Sequence, residues 1–145
     1  MIFKEHIQEC NGHINMVVRK NGQIIDQYED HNLIVTLGRQ RMAELLSGLS
    51  SAHISHIGIG TGKDVENIAD TTLQDLILIP LKGAEAQDKV ARFNFLIDTA
   101  TGNGLRITEF GLFASDGVMF SHRVRTGIIE KADDIEIEGY WEIRF

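Results

Sequence analysis

The closing segment of the chain alternates strictly between apolar and polar side chains, and this pattern constrains the fold more than any other. Successive side chains of a β-strand point to opposite faces, so the alternation predicts a strand with one buried and one exposed face. Because Trp141 falls on the apolar face, we expect it in the core. The apolar face of Asp134–Phe145 carries Ile135, Ile137, Gly139, Trp141, Ile143 and Phe145.

Other parts of the chain also favour strands joined by short turns. The 145 residues include 14 glycines and one proline, Pro80, and glycine-rich turns between short runs are typical of β-rich domains. Proline lacks a backbone donor, which places Pro80 at a sheet edge or a bulge. The predicted strands or extended segments are His53–Gly60, Ile77–Gln87, Lys89–Asp98, Leu105–Ala114 and Val118–Arg125.

The dipeptide Asn21-Gly22 predicts a β-hairpin within His13–Asp30. Both residues tolerate the positive φ angles of a type I′ turn. A two-residue turn would place the polar Glu29 opposite the apolar Ile14. We therefore expect a hairpin that is partly exposed or serves as a contact surface.

One long helix is predicted at Thr36–Ser50, with its first residue as the N-cap and Gly48 near its end. Leucine and methionine recur there at helical spacing. This spacing puts Leu45 and Leu46 on the face toward the sheet and Arg41 on the polar face.

Together these patterns predict a mainly β (α+β) fold, an antiparallel β-sandwich or meander with one amphipathic helix. The length fits a single domain, 1–145. We expect residues 1–31 to form an N-terminal hairpin segment that can serve as a contact arm. Residues 32–145 then supply the helix and the β core.

Composition argues against several partners. The chain has 21 Asp and Glu residues against 14 Lys and Arg residues, a net charge of −7, so no basic surface for nucleic acid is expected. No apolar run is long enough to cross a bilayer, and residues 1–10 lack the apolar stretch of a signal peptide. The single cysteine, Cys10, cannot form an internal disulfide, which fits a reducing cytoplasm.

No segment carries a complete catalytic, cofactor or metal motif. The segment Gly58–Lys63 lacks the first glycine of a phosphate loop, and Asp64 stands where Ser or Thr would reach magnesium. His53 and His56 fall on opposite faces of a strand, so they cannot share a metal ion. No G-x-S-x-G sequence occurs. We therefore expect no enzymatic activity, cofactor or metal, and assign no catalytic or binding residue.

Several short motifs follow one another in a fixed order from Asn32 to the C-terminus. They are Asn32-Leu33-Ile34-Val35-Thr36-Leu37-Gly38-Arg39, His53-Ile54-Ser55-His56-Ile57-Gly58-Ile59-Gly60-Thr61-Gly62, Thr71-Thr72-Leu73, a central β region with Phe93 and Phe95, Glu109-Phe110-Gly111-Leu112-Phe113, Lys131 and the closing strand. Their order and spacing resemble a family of small phage and prophage structural proteins of the tail-fibre and baseplate type.

The resemblance implies a tail component of a virion, made in the cytoplasm of a bacterial host and acting through assembly. It implies contacts with other tail proteins and a homo-oligomer, with a trimer favoured. The motif residues are then folding positions without reactive groups. The alternative interpretation is a β-sandwich module that binds a small ligand or carbohydrate, which an exposed aromatic cluster would favour.

Glu109 is the one polar residue of its motif, and alternation puts it on an apolar face with Phe113. A buried carboxylate is costly unless a cation or backbone donors compensate it. We expect Lys131 or Arg106 to reach Glu109, with Lys131 favoured because it recurs in the resembled pattern. The alternative is a β-bulge near Gly111 that turns Glu109 outward to solvent.

Overall fold

The computed structural model describes residues 10–145, which form nine β-strands and one α-helix. Residues 1–9, which include most of the stretch expected to lack a signal peptide, lie outside the described residues. The elements are β1 Asn11–Lys20, β2 Gln23–Ile34, α1 Thr36–Ser47, β3 Ile54–Gly60, β4 Ile77–Pro80, β5 Gly83–Gln87, β6 Val90–Ile97, β7 Arg106–Ala114, β8 Met119–Glu130 and β9 Ile135–Arg144.

The strands form one antiparallel sheet that curls so that its two halves face each other. Their order is β4-β3-β7-β8-β2-β1-β9-β6-β5. The strand β2 joins the halves, since it pairs with β1 along its length but with β8 only through Leu33 and Ile34. One buried cluster draws on both halves and includes Phe110 of β7 and Trp141 of β9. The mainly β prediction with one helix is confirmed, as is the core position of Trp141.

The connections depart from a simple meander. Four successive strand pairs are hairpins, but β6 and β7 lie in different halves of the sheet. The predicted extended segment Ile77–Gln87 divides into β4 and β5, which end the sheet on opposite sides. Pro80 lies in the edge strand β4, as predicted.

The predicted hairpin is formed by β1 and β2. Asn21 and Gly22 adopt φ angles of 50° and 78°, which suit a type I′ turn. A β-bulge in β2 shifts the register by one residue, so Ile14 lies opposite Asp30 rather than Glu29. Ile14 is fully buried, whereas the outer part of the hairpin is exposed.

The helix α1 is shorter than predicted and has a different cap. Val35 is the N-cap residue, and no side chain caps the first turn. Gly48 ends the helix in the left-handed conformation, with φ 75°, as its placement after a periodic run predicts. Within residues 10–145, no helix is both long and apolar enough to span a membrane.

The predicted buried face of the helix is wrong. Leu46 is 91% exposed and Leu45 is half-buried, whereas Arg41 is buried. The guanidinium of Arg41 lies 2.9 and 2.7 Å from the two carboxylate oxygens of Asp116, in the β7–β8 turn. Gly38 shares the buried side, and a Cβ there would overlap a backbone carbonyl of β8. This close approach turns the arginine face of α1, and not the leucine face, toward the sheet.

The helix and the loop of residues 61–76 cover the outer face of β7 and β8. Leu73 and Leu76 of the loop pack there, on either side of a turn at residues 74–75. This second buried cluster is separate from the main core and contains Val35, Leu73, Phe113 and Met119.

Candidate functional site

The candidate site is a buried ionic cluster beneath the loop 61–76, centred on Glu109 of β7. Glu109 is 3% exposed. The register of the β7–β8 pair shifts between Ile107 and Glu109, where several extra residues of β8 are accommodated, and the two faces of β7 exchange at this point. As a result Ile107 joins the main core, while Glu109 points to the outer face that the loop covers.

Three donors surround the carboxylate of Glu109. The backbone N–H groups of Gly62 and Gln74 donate to Oε2, the second at 2.9 Å, and Nε2 of His122 lies 2.8 Å from Oε1. Glycine is required at positions 60 and 62, because a Cβ at Gly60 or Gly62 would overlap this carboxylate. The glycine-rich segment that resembles a phosphate loop therefore surrounds an internal carboxylate.

His122 lies between two carboxylates. Its Nδ1 is 2.8 Å from Oδ2 of Asp70, and its Nε2 is 2.8 Å from Oε1 of Glu109. Both ring nitrogens donate only when the imidazole is protonated. Burial lowers the pKa of His122, but hydrogen bonds to Glu109 and Asp70 outweigh it and hold the pKa above the ordinary 6.5.

The pKa of the Glu109 carboxyl is shifted in the opposite direction, downward. Burial raises its pKa, but the hydrogen bonds from His122, Gln74 and Gly62 outweigh burial and hold the pKa below the ordinary 4.5. Both shifts therefore favour the form of the pair in which an imidazolium faces a carboxylate.

Neither cation predicted for Glu109 reaches it. Lys131 is buried, but its Nζ donates to Oδ1 of Asn103 at 2.9 Å and to a backbone carbonyl at 3.1 Å. Nε of Arg106 lies 3.5 Å from a carboxylate oxygen of Glu130 at the surface. The prediction of a Lys131–Glu109 pair is wrong. The alternative, in which Glu109 turns outward to solvent, is wrong too, because the loop keeps Glu109 buried although the β7–β8 register shifts beside it.

Further polar contacts fasten the loop to the edge of β8. The carboxylate of Glu66 accepts a hydrogen bond from the N–H of Val124 and lies 3.4 Å from Nη1 of Arg123. The carbonyl of Ile68 accepts from the N–H of Thr36 at 2.8 Å. These contacts join the loop to the strand and to the first turn of the helix.

A second ionic cluster bridges β2 and β8 where their pairing ends. Arg123 donates to the Tyr28 hydroxyl at 2.9 Å and to Asp30. Arg125 donates to Asp26 at 2.9 Å, and its guanidinium lies 4.9 Å from the centre of the Tyr28 ring. The sequence analysis missed this cluster. Its signal is the alternation of polar residues in both strands, which puts acids on one and arginines on the other.

The remaining candidate residues do not form a reactive site. Lys63 and His53 are exposed, and Nδ1 of His56 lies 2.6 Å from the hydroxyl of Ser55. Cys10 is half-buried, and burial raises the pKa of its thiol. Among the residues that the structure describes, no group of three or more His, Cys, Asp or Glu side chains is positioned to hold a metal ion.

The sequence analysis also missed the role of His122. The sequence feature that could have revealed it is the hairpin of β7 and β8. A turn at Ser115-Asp116-Gly117 places His122 opposite Gly111, which is two residues from Glu109 on β7. Hairpin register thus points to this partner, whereas alternation along one strand does not.

The cluster is fully satisfied within the chain. Both ring nitrogens of His122 and both carboxylate oxygens of Glu109 have partners. Comparison of the chain with known protein families, curated proteins and solved structures finds no match. The geometry itself supports a structural role, in which the cluster holds the loop 61–76 against β7 and β8.

Proposed function

We propose that this protein is a non-enzymatic structural subunit of a bacteriophage or prophage tail, of the tail-fibre or baseplate type. It acts through self-assembly and contacts with other tail proteins, and it is assembled into the virion in the host cytoplasm. The observation that carries the proposal is that two of the motifs resembling that family meet in one buried cluster and a third adjoins it.

Two of the motifs contribute directly to the cluster, and a third adjoins it. Glu109 comes from the Glu-Phe-Gly-Leu-Phe motif, and Gly62 ends the glycine-rich motif. Gln74 follows the Thr-Thr-Leu motif, whose Leu73 is buried beside it. A fourth motif begins with Asn32, whose side chain accepts a hydrogen bond from the Ser121 hydroxyl. These motif residues stabilise the fold through internal hydrogen bonds, and a subunit of an assembly needs such a rigid fold.

The surface offers groups that neighbouring subunits can bind. The end strands β4 and β5 each pair on one side only, so each has a free edge. Free edges and exposed apolar side chains are the usual sites of protein association. These features support a homo-oligomer, for which the family resemblance favours a trimer. The exposed large apolar residues include Ile24, Ile25, Leu46, Leu49, Val65, Ile68, Leu78 and Ile128.

Gene neighbourhood and deletion test the proposal together. We expect the neighbouring genes to encode tape-measure, baseplate or fibre proteins. Deletion of the gene from the prophage should leave particles with defective tails in electron micrographs. Complementation with the wild-type gene should restore normal tails. The surface variant Glu130→Ala, as a matched control, should restore them equally well. Unrelated neighbours and normal tails after deletion would contradict the proposal.

A carbohydrate-binding role has one observation in its favour. A groove of about 490 Å³ on the outer face of β1, β9 and β6 is lined by Asn15, Asn94, Glu138 and Tyr140, among others. However, the guanidinium of Arg92 lies 4.0 Å from the Tyr140 ring centre, so one face of that ring is not free to stack on a sugar. Chemical-shift changes at Asn15, Asn94 and Tyr140 on adding simple sugars would favour this role over assembly.

A further inference from the structure

We propose that His122 is a proton-operated latch for the segment 63–70 of the loop. The doubly protonated ring holds the segment against β8, and loss of one proton releases it. This inference goes beyond the proposed function, and it does not depend on it.

Polar contacts alone hold this segment. The later part of the loop is anchored by Leu73, which is 5% exposed, whereas Val65 and Ile68 are 84% and 58% exposed. No apolar side chain of the segment is buried. Its tethers are the Asp70–His122 contact, the contacts of Glu66 with β8, and the Ile68–Thr36 backbone hydrogen bond. Segments with few buried apolar contacts open with a small free energy, so loss of one charged tether has a large effect on opening.

The two carboxylates differ in how they respond when His122 loses a proton. A neutral imidazole has one N–H, and its other nitrogen then presents a lone pair to a carboxylate. The side chain of Glu109 is 4% exposed, whereas that of Asp70 is 27% exposed and can be hydrated. Because Glu109 cannot gain water in exchange, the remaining N–H stays with it. The contact that breaks is therefore the one to Asp70.

The charged surroundings of His122 favour its protonated form and therefore the closed state. The groups that face it are Glu109 from β7 and Asp70 from the loop, while β2 places Leu33 opposite it. Its neighbour Arg123 is engaged by acidic groups of the loop and of β2. With its folded pKa above the ordinary 6.5, the latch is closed below that pH and opens as the pH rises through the folded pKa.

Hydrogen exchange of the intact chain tests the latch directly. We compare about pH 6 with a pH above the transition of His122, which an NMR titration locates, after correction for intrinsic rates. In the wild type, protection of the 63–70 amides should fall about tenfold or more, as expected for loss of a charged hydrogen bond. Protection in β9 should not change. Asp70→Asn should show low loop protection already at the lower pH, whereas the matched control Asp64→Asn should behave like the wild type.

Three results would overturn the proposal. They are equal loop protection at both pH values in the wild type, an equal fall in Asp70→Asn, and an NMR titration of His122 with a pKa below 6.5. The titration uses the unmodified protein, so it decides the question even where a variant fails to fold.

Discussion

No cation of its own strand reaches Glu109, since Arg106 pairs with Glu130, and its burial depends on donors from two other parts of the chain. Gly62 and Gln74 come from the loop, and His122 comes from the neighbouring strand. A buried charge that loses its partner is strongly destabilising, because desolvation is then uncompensated. Each of these hydrogen bonds therefore contributes more to the stability of the folded protein than the same hydrogen bond would at the surface.

Removing Glu109 should be costly. Glu109→Ala leaves the N–H groups of Gly62 and Gln74 and the Nε2 of His122 without their acceptor, and should lower the free energy of unfolding by about 3–5 kcal/mol. Glu130→Ala, at a site 77% exposed, should change it by less than about 0.5 kcal/mol. Urea denaturation measures both.

A double-mutant cycle separates the partners of Glu109. The effects of Glu109→Ala and His122→Ala should be strongly non-additive, because the two side chains are in contact. Those of Glu109→Ala and Lys131→Ala should add within about 0.5 kcal/mol. Coupling to Lys131 and additivity with His122 would show that the cluster is wrongly assigned.

Stability should depend on pH through the same pair. The contribution of the Glu109 carboxylate is fully present above its ordinary pKa of 4.5 and is lost as the pH falls through the lower folded pKa. That of His122 is fully present below its ordinary pKa of 6.5 and is lost as the pH rises through the higher folded pKa. Thermal unfolding of wild type and His122→Gln should therefore differ most between these values. A difference independent of pH would contradict the charge assignment.

The helix α1 offers a test at the scale of elements. Leu46→Ala removes a side chain that is 91% exposed and should change the free energy of unfolding by less than about 0.5 kcal/mol. Arg41→Ala breaks the two hydrogen bonds to Asp116 and another to the carbonyl of Ala52, so it should lower Tm clearly more than Leu46→Ala. The opposite order in thermal melts would restore the leucine face as the buried one.

The elements themselves could be predicted from the sequence, but their faces and partners could not always be. Period-two alternation predicted β9 and the burial of Trp141, because a strand with one buried face has alternating apolar and polar residues in its own sequence. The prediction of the buried helix face was wrong because Arg41 is buried in a hydrogen-bonded pair with Asp116, which lies 75 positions away in the sequence. A charged residue with a distant partner is indistinguishable, within its own helix, from one that faces solvent.

At the scale of the whole molecule, the order of strands was the part that local patterns could not supply. β6 and β7 are successive in the chain but lie in different halves of the curled sheet. Irregularities in β2 and β8 shift the registers of their hairpins by steps that alternation does not encode. The partner of Glu109 was missed for this reason, since it depends on the register of the β7–β8 hairpin.

Self-association is the property that the proposed assembly requires of the whole molecule. Cyclic contacts between copies are the usual way that subunits surround an axis. We expect light scattering to show a homo-oligomer, with a trimer favoured, whose dissociation follows dilution. A monomer up to high micromolar concentration would contradict self-assembly of the chain alone.

The most direct test of the central claim is quantitative mass spectrometry of purified tail particles from the host that carries the gene. The account predicts that this chain copurifies with the particles at a fixed ratio to the other tail proteins. Particles that assemble complete tails without the chain, while it stays in the unassembled fraction of the lysate, would contradict the account.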